Sequence, residues 1–123
     1  MNDDLDPVTA AQLAVSEMHE AAFLERVRTV MADKNARALF WWLLGEIGTY
    51  SAVYVPNDTH GTAFNEGQRN VGLMIENVLN RANPRILLDM QREALDEKER
   101  LRFECEAAEK AGEAERQRRR PGR

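Results

Sequence analysis

Thiol chemistry is nearly absent from this chain of 123 residues: one cysteine, Cys105, excludes an internal disulfide. Its neighbours Glu104 and Glu106 do nothing to favour a thiolate, so Cys105 is read as inert. Histidine is almost as scarce. His19 and His60 stand far apart in sequence and do not form a convincing metal site, and Asp58 near His60 is read as a turn residue. No Gly-rich phosphate loop follows a strand, no serine or cysteine sits in a nucleophile motif, and the carboxylates are spread along the last third of the chain. These absences predict no catalytic residues, no cofactor and no metal. The expected mode of action is binding and not catalysis.

Long apolar runs are missing too. The longest, Ala36 to Leu44, is interrupted by Arg37 and falls well short of the ~20 residues that cross a bilayer. The opening Met1-Asn2-Asp3-Asp4-Leu5-Asp6 is acidic where a secretory signal would be basic and then apolar, so a cytoplasmic origin is expected. With 43% hydrophobic and 31% charged residues, the chain has material for one core. The net charge of -4 conceals an asymmetry, because the segment from Arg116 to Arg123 is almost purely basic.

What is present is helical. Asp6-Pro7 is a start signal, with Asp able to cap the first amides and Pro losing no hydrogen bond at the first helical position. From Leu13 to Met31 the apolar residues recur at spacings of three and four, giving one or two amphipathic helices up to Ala32. Asp33 then caps a helix over Lys34 to Ile47 that ends at Gly48. That helix is apolar on nearly every side, which predicts the buried centre of the domain. Trp41 and Trp42 point about 100° apart. Packing of both inside the domain is the favoured expectation, because large aromatics dominate cores, and a tryptophan left exposed is the alternative, a candidate contact for a partner protein.

Periodicity vanishes between Thr49 and Phe64, predicting a long loop and therefore a first place to look for a binding surface, with Tyr50, Tyr54 and His60 as candidate contacts. Asn65 and Gln68 resemble a capping box opening a third helix, with Val71, Met74, Ile75, Val78 and Leu79 inward. Gly67 and Gly72 in that helix predict close packing against the tryptophan-bearing one. Glu46, Glu66 and Glu76 are expected to pair with Arg37, Arg69 or Arg81.

Asn83-Pro84 repeats the start signal, and the helix it opens packs through Ile86, Leu87, Met90, Ala94 and Leu95 before turning almost wholly charged. The pairs Asp96/Arg100, Glu106/Lys110 and Glu115/Arg119 support a solvated rod, and Pro121 stops it. The predicted organisation is a helical core over residues 1–95 and a charged extension with a basic tail over 96–123. The fold class is all-α: a small bundle of four to five helices with a long, charged, projecting C-terminal helix. Phe103 is a candidate for docking on a neighbour, including a second copy of the chain. Arg116, Arg118, Arg119 and Arg120 can neutralise phosphates, although the acidic remainder opposes nucleic acid.

The run Ala38 to Leu44, with Trp41 and Trp42, followed by Phe64-Asn65-Glu66-Gly67-Gln68-Arg69 and then Asn83-Pro84 to Met90, resembles a family of small tailed-phage proteins. That family is named for a Bordetella phage gene product, number nineteen. The resemblance spans roughly residues 21 to 94; its Phe-x-Glu-Gly-x-Arg segment stands here as Phe64, Glu66, Gly67 and Arg69, and Ala36-Arg37 replaces its upstream Gly-Arg pair. Members are encoded among head and portal genes. The resemblance implies a virion-associated or assembly protein with other phage structural proteins (portal, tail or inner head) as partners. Its location would be the virion, or the host cytoplasm during assembly. It carries no catalytic residues, and it implies a structural role for Glu66 and Arg69, which three-residue spacing predicts as an ion pair. A DNA-binding or DNA-packaging accessory using the basic tail is the alternative.

Overall fold

The computed structural model describes residues 4–122; Met1 to Asp3 of the acidic N-terminus and Arg123 of the basic tail lie outside the described residues. Four helices follow in order, α1 (Pro7–Met31), α2 (Lys34–Ile47), α3 (Thr59–Ala82) and α4 (Ile86–Arg118). The all-α bundle expected from the periodicity is the fold observed. α1 is one unbroken helix with Pro7 in its first turn; the Ala10 amide bonds to the Asp6 carbonyl (2.9 Å), while the Asp6 side chain makes no cap.

Local chemistry explains most of the boundaries. Asp33 Oδ1 accepts from the Asn35 amide (2.8 Å) at the start of α2. Gly48, at φ 84°, ends it: the Gly48 amide reaches the Gly45 carbonyl and the Thr49 amide the Leu44 carbonyl, a Schellman closure that a left-handed residue makes possible. Asn83 Oδ1 accepts from the Arg85 amide (3.1 Å), so Asn83 and Pro84 set up the turn from which α4 runs.

α3 begins seven residues earlier than the sequence suggests. Asp58, read as a turn former, accepts from the Gly61 amide (2.8 Å) and caps the helix. The Asn65–Gln68 capping box is not used, because Asn65 lies inside α3 and donates its side-chain amide back to the Val53 carbonyl (3.3 Å). The connection is correspondingly short, and Thr62 ties it down by accepting from the Val55 amide (2.9 Å).

The core is shared by all four helices. Met31, Leu44, Leu79, Ile86 and Met90 form its buried centre, with Val27, Phe40, Trp41, Ile75 and Leu87 packed around them. Each fully buried large side chain contributes about 1.5–3 kcal/mol before the entropy cost. The expectation that α2 is buried on all sides fails. Leu44 is its one fully enclosed side chain, while Leu39 and Trp42 are each 59% exposed. The physical reason is coverage: α1, α3 and α4 pack on one side of α2, and no element covers the other.

Val71 and Met74, expected inward, are exposed on α3 as well, and the buried face turns out to be Gly72, Leu79 and Ala82. Gly72 permits a close approach of α3 to Thr49 at the end of α2, since a Cβ there would lie 2.8 Å from the Thr49 Cβ. Gly67 faces open space and serves no such packing.

α4 is continuous through residue 95, so the line between core and extension falls within one helix. Among the described residues beyond it, every side chain but Glu115 is exposed. The rod is held by its own charges, with Arg100 between Glu97 (3.8 Å) and Glu104 (3.9 Å), Arg102 near Glu106 (3.7 Å), and Glu115 with Arg118 (3.5 Å) and Arg119 (2.9 Å). Of the expected pairs only Glu115/Arg119 forms; Arg100 turns to Glu97 and Glu104 instead of Asp96. Each such exposed pair is worth a few tenths of a kcal/mol.

Candidate docking surface

Arg37 organises the side of the bundle where α2 meets α4. Its Nε donates to both Glu93 oxygens (3.0 and 3.1 Å), and its remaining nitrogens reach Glu93 again (2.9 Å) and the Met31 and Ala32 carbonyls (2.9 Å each). One guanidinium thereby closes the C-terminal end of α1, fixes the start of α2 and clamps α4. The hydrogen bond to Glu93 holds its pKa above the ordinary value against the opposing effect of burial. The other arginines form different pairs from those expected: Arg81 pairs with Glu20 of α1, and no ion pair joins Glu66 to Arg69, both of which are exposed.

Next to this clamp, α2 and α4 enclose an open groove of about 720 Å³. Its apolar lining is Ala38, Trp41, Trp42, Met90, Ala94 and Leu101, and Lys34, Asn35, Glu93, Asp96, Glu97, Lys98 and Arg100 line the remainder with polar and charged groups. The exposed Trp42 and Leu39, three residues apart on one face of α2, continue its apolar lining onto the surface. Exposed aromatic and aliphatic side chains bordered by polar and charged ones are common in protein-binding sites.

Trp41 and Trp42 therefore have different roles. Trp41 lies half-buried against the core and stacks at 5.9 Å on Tyr50. Tyr50 donates its hydroxyl to Glu76 Oε1 (2.6 Å), joining the end of α2 to α3. Partial burial, and then the bond to the Glu76 carboxylate, push the Tyr50 pKa well above that of a free phenol. Sequence reasoning placed Tyr50 on a binding loop; the structure gives it a bracing contact, which a separation of 26 residues conceals from any local pattern.

The remaining candidates are dispersed. Tyr54 is exposed on the loop, His60 in the first turn of α3, and Phe64, Glu66, Gly67 and Arg69 along its outer surface. Phe103 is exposed on the rod with the Arg102 guanidinium over its ring at 5.7 Å. Arg116, Arg118, Arg119 and Arg120 cluster at the rod's end, where Glu115 neutralises part of their charge. Among the described residues no three side chains of the His, Cys, Asp and Glu types converge as a ligand set, and no helix is long and apolar enough to cross a membrane.

The extent of uncovered surface sets the scale. The chain exposes 10288 Å², whereas a compact monomer of its mass exposes about 6,700 Å². The charged rod contributes to the excess, and large apolar side chains on α1, α2 and α3 stand exposed as well.

The model of the Bbp19-like phage proteins matches residues 27–92, more than half of the chain. The chain belongs to that family. The matched segment contains every residue of the core cluster, from Val27 to Met90, and leaves out the first five turns of α1 and the charged rod. No match was found among curated proteins or among solved structures. Membership in the phage family was legible beforehand in the tryptophan run and the Phe64 to Arg69 segment.

Proposed function

We propose that this phage protein is a virion-associated or head/portal assembly component, acting by binding other phage structural proteins and not by catalysis. The observation that carries the reading is the outer face of α2. Trp42 and Leu39 stand in water beside the apolar α2/α4 groove, although the helix that bears them is one of the most apolar segments in the chain. Apolar surface of this kind, rimmed by charge, gains free energy when another protein covers it. Large aromatics at the centre of such a patch carry most of the energy in protein interfaces.

The test is quantitative mass spectrometry of purified virions and procapsids from a phage carrying this gene. A stoichiometric presence in either particle supports the reading. Absence from both contradicts it.

A second reading rests on Arg116, Arg118, Arg119 and Arg120, which place a cationic cluster at the tip of an extended rod. A DNA-binding or DNA-packaging accessory would bind duplex DNA at low salt, lose affinity steeply as salt rises, and lose binding on deletion of residues 116–123. The pairing of Glu115 with two of these arginines weakens this reading relative to the first.

A further inference from the structure

α1 carries two apolar stripes, and only one has a partner. Leu24, Val27 and Met31 face the bundle, and Val27 and Met31 belong to the core cluster. Val8, Ala11, Val15, Met18 and Ala22 repeat at the alternating three- and four-residue spacing of a helix-pairing seam. At 100° per residue the mean directions of these two sets lie about 180° apart, so the second stripe points away from the bundle. It is open to water: Val8 is 63%, Val15 53% and Met18 71% exposed.

The surroundings of this stripe differ from those of the other projecting helix. The α4 rod is dense with charge and suited to water. From Pro7 to Ser16 α1 has no charged residue at all, and Glu17 is the one acidic side chain before Glu20. A helix segment with an exposed apolar seam and no charge over Pro7 to Ser16 is suited to being covered, and the single chain leaves it open.

We infer that the cover is a second copy of this chain, with the two α1 seams packed against each other about a two-fold axis. Two observations select this occupant. The seam has no charge that would recognise a partner of opposite sign, so the surface that satisfies it must itself be uncharged and apolar, and every copy presents such a surface. Its alternation of larger (Val8, Val15, Met18) and small (Ala11, Ala22) side chains lets two like stripes interdigitate. The stripe lies outside the segment matched to the phage family, so pairing here is a property of this chain's α1 and is independent of the function proposed above.

Val15 is the midpoint of the seam and meets its counterpart whether the helices pair parallel or antiparallel. The experiment uses the full chain. Light scattering on a sizing column over a concentration series is expected to give twice the 14.0 kDa chain mass. Val15→Glu with Met18→Glu is expected to return it to the single-chain mass with the helical circular dichroism and melting temperature of the body retained, since both residues are exposed. In a Cys105→Ser background, Val15→Cys is expected to cross-link between copies on mild oxidation, and Thr9→Cys, on another face of α1, is not. A single-chain mass for the wild type at every concentration overturns the inference. So does a doubled mass that survives the two glutamates, or one that is lost to Leu39→Glu while the α1 variant stays paired.

Discussion

Two glycines five residues apart on α3 should respond to the same substitution with opposite signs. A Cβ built at Gly67 meets nothing within 4 Å, so Gly67→Ala there only removes the conformational freedom of glycine in a helix and stabilises the protein by up to about 1 kcal/mol. A Cβ at Gly72 would lie 2.8 Å from the Thr49 Cβ and 2.9 Å from its Cγ2, closer than carbon atoms approach. The Thr49 Cβ is fixed to the backbone and cannot rotate aside, so α3 and the end of α2 must move apart by about half an ångström. Forcing a methyl group into a filled site costs about 1–3 kcal/mol, which the helix-propensity gain offsets only in part. The expected net result is a loss of about 1–2 kcal/mol for Gly72→Ala, read as a lower midpoint in urea at unchanged slope. Adding Thr49→Gly removes the obstructing atoms, and the double-mutant cycle should show a coupling of at least about 0.5 kcal/mol. Equal effects of alanine at positions 67 and 72, or additivity with Thr49→Gly, would refute the close approach as the reason for glycine at 72.

Other consequences follow from the same contacts. The Thr49 hydroxyl is buried with no hydrogen-bond partner among the described residues, so Thr49→Val, which keeps the shape, should stabilise by about 1 kcal/mol and raise the melting temperature by a few degrees. Arg37→Ala should cost about 2 kcal/mol, because it strips a partly buried Glu93 and the carbonyls ending α1 of one shared donor, and lysine should restore little of that for want of a planar fork. The raised pKa of Tyr50 means that its neutral form belongs to the folded state. Its contribution is present in full below the ordinary phenol value of about 10 and is lost as pH rises through the higher folded value. Tyr50→Phe should remove the late component of the phenolate absorbance titration, and loss of a component at the ordinary phenol value instead would contradict the contact with Glu76.

Helix identity was largely legible because it is written locally. Asp33, Gly48 and Asn83-Pro84 mark boundaries through caps and turns that involve neighbours in sequence. Asp58 was misread because Asp serves equally as a turn former and a helix cap, and the choice rests on a helix beginning with Thr59, His60 and Gly61, which shows no apolar period. The burial of α2 was not legible for a deeper reason. An apolar helix looks the same in sequence whether its cover comes from its own chain or from another, so Leu39 and Trp42 read as core where the fold leaves them uncovered. The same ambiguity hid the outward stripe of α1 among residues that also supply Val27 and Met31. Arg37 was visible as half of a family motif and as an expected partner of a nearby glutamate, but its role depends on Glu93, 56 residues away. Phe64 to Arg69 was legible as a family signature but not as exposed surface, since its residues make none of the ion pairs that spacing suggests.

The proposed function makes the uncovered face of α2 the place where another phage structural protein binds. A photo-cross-linking amino acid placed at Trp42 during infection, with the same group at the rod position Glu109 for comparison, addresses that claim directly. The account predicts cross-linking at Trp42 to one defined head, portal or tail protein, identified by mass spectrometry, and its loss when Leu39→Glu is added. No cross-link at Trp42, or the same products from both positions, would contradict it.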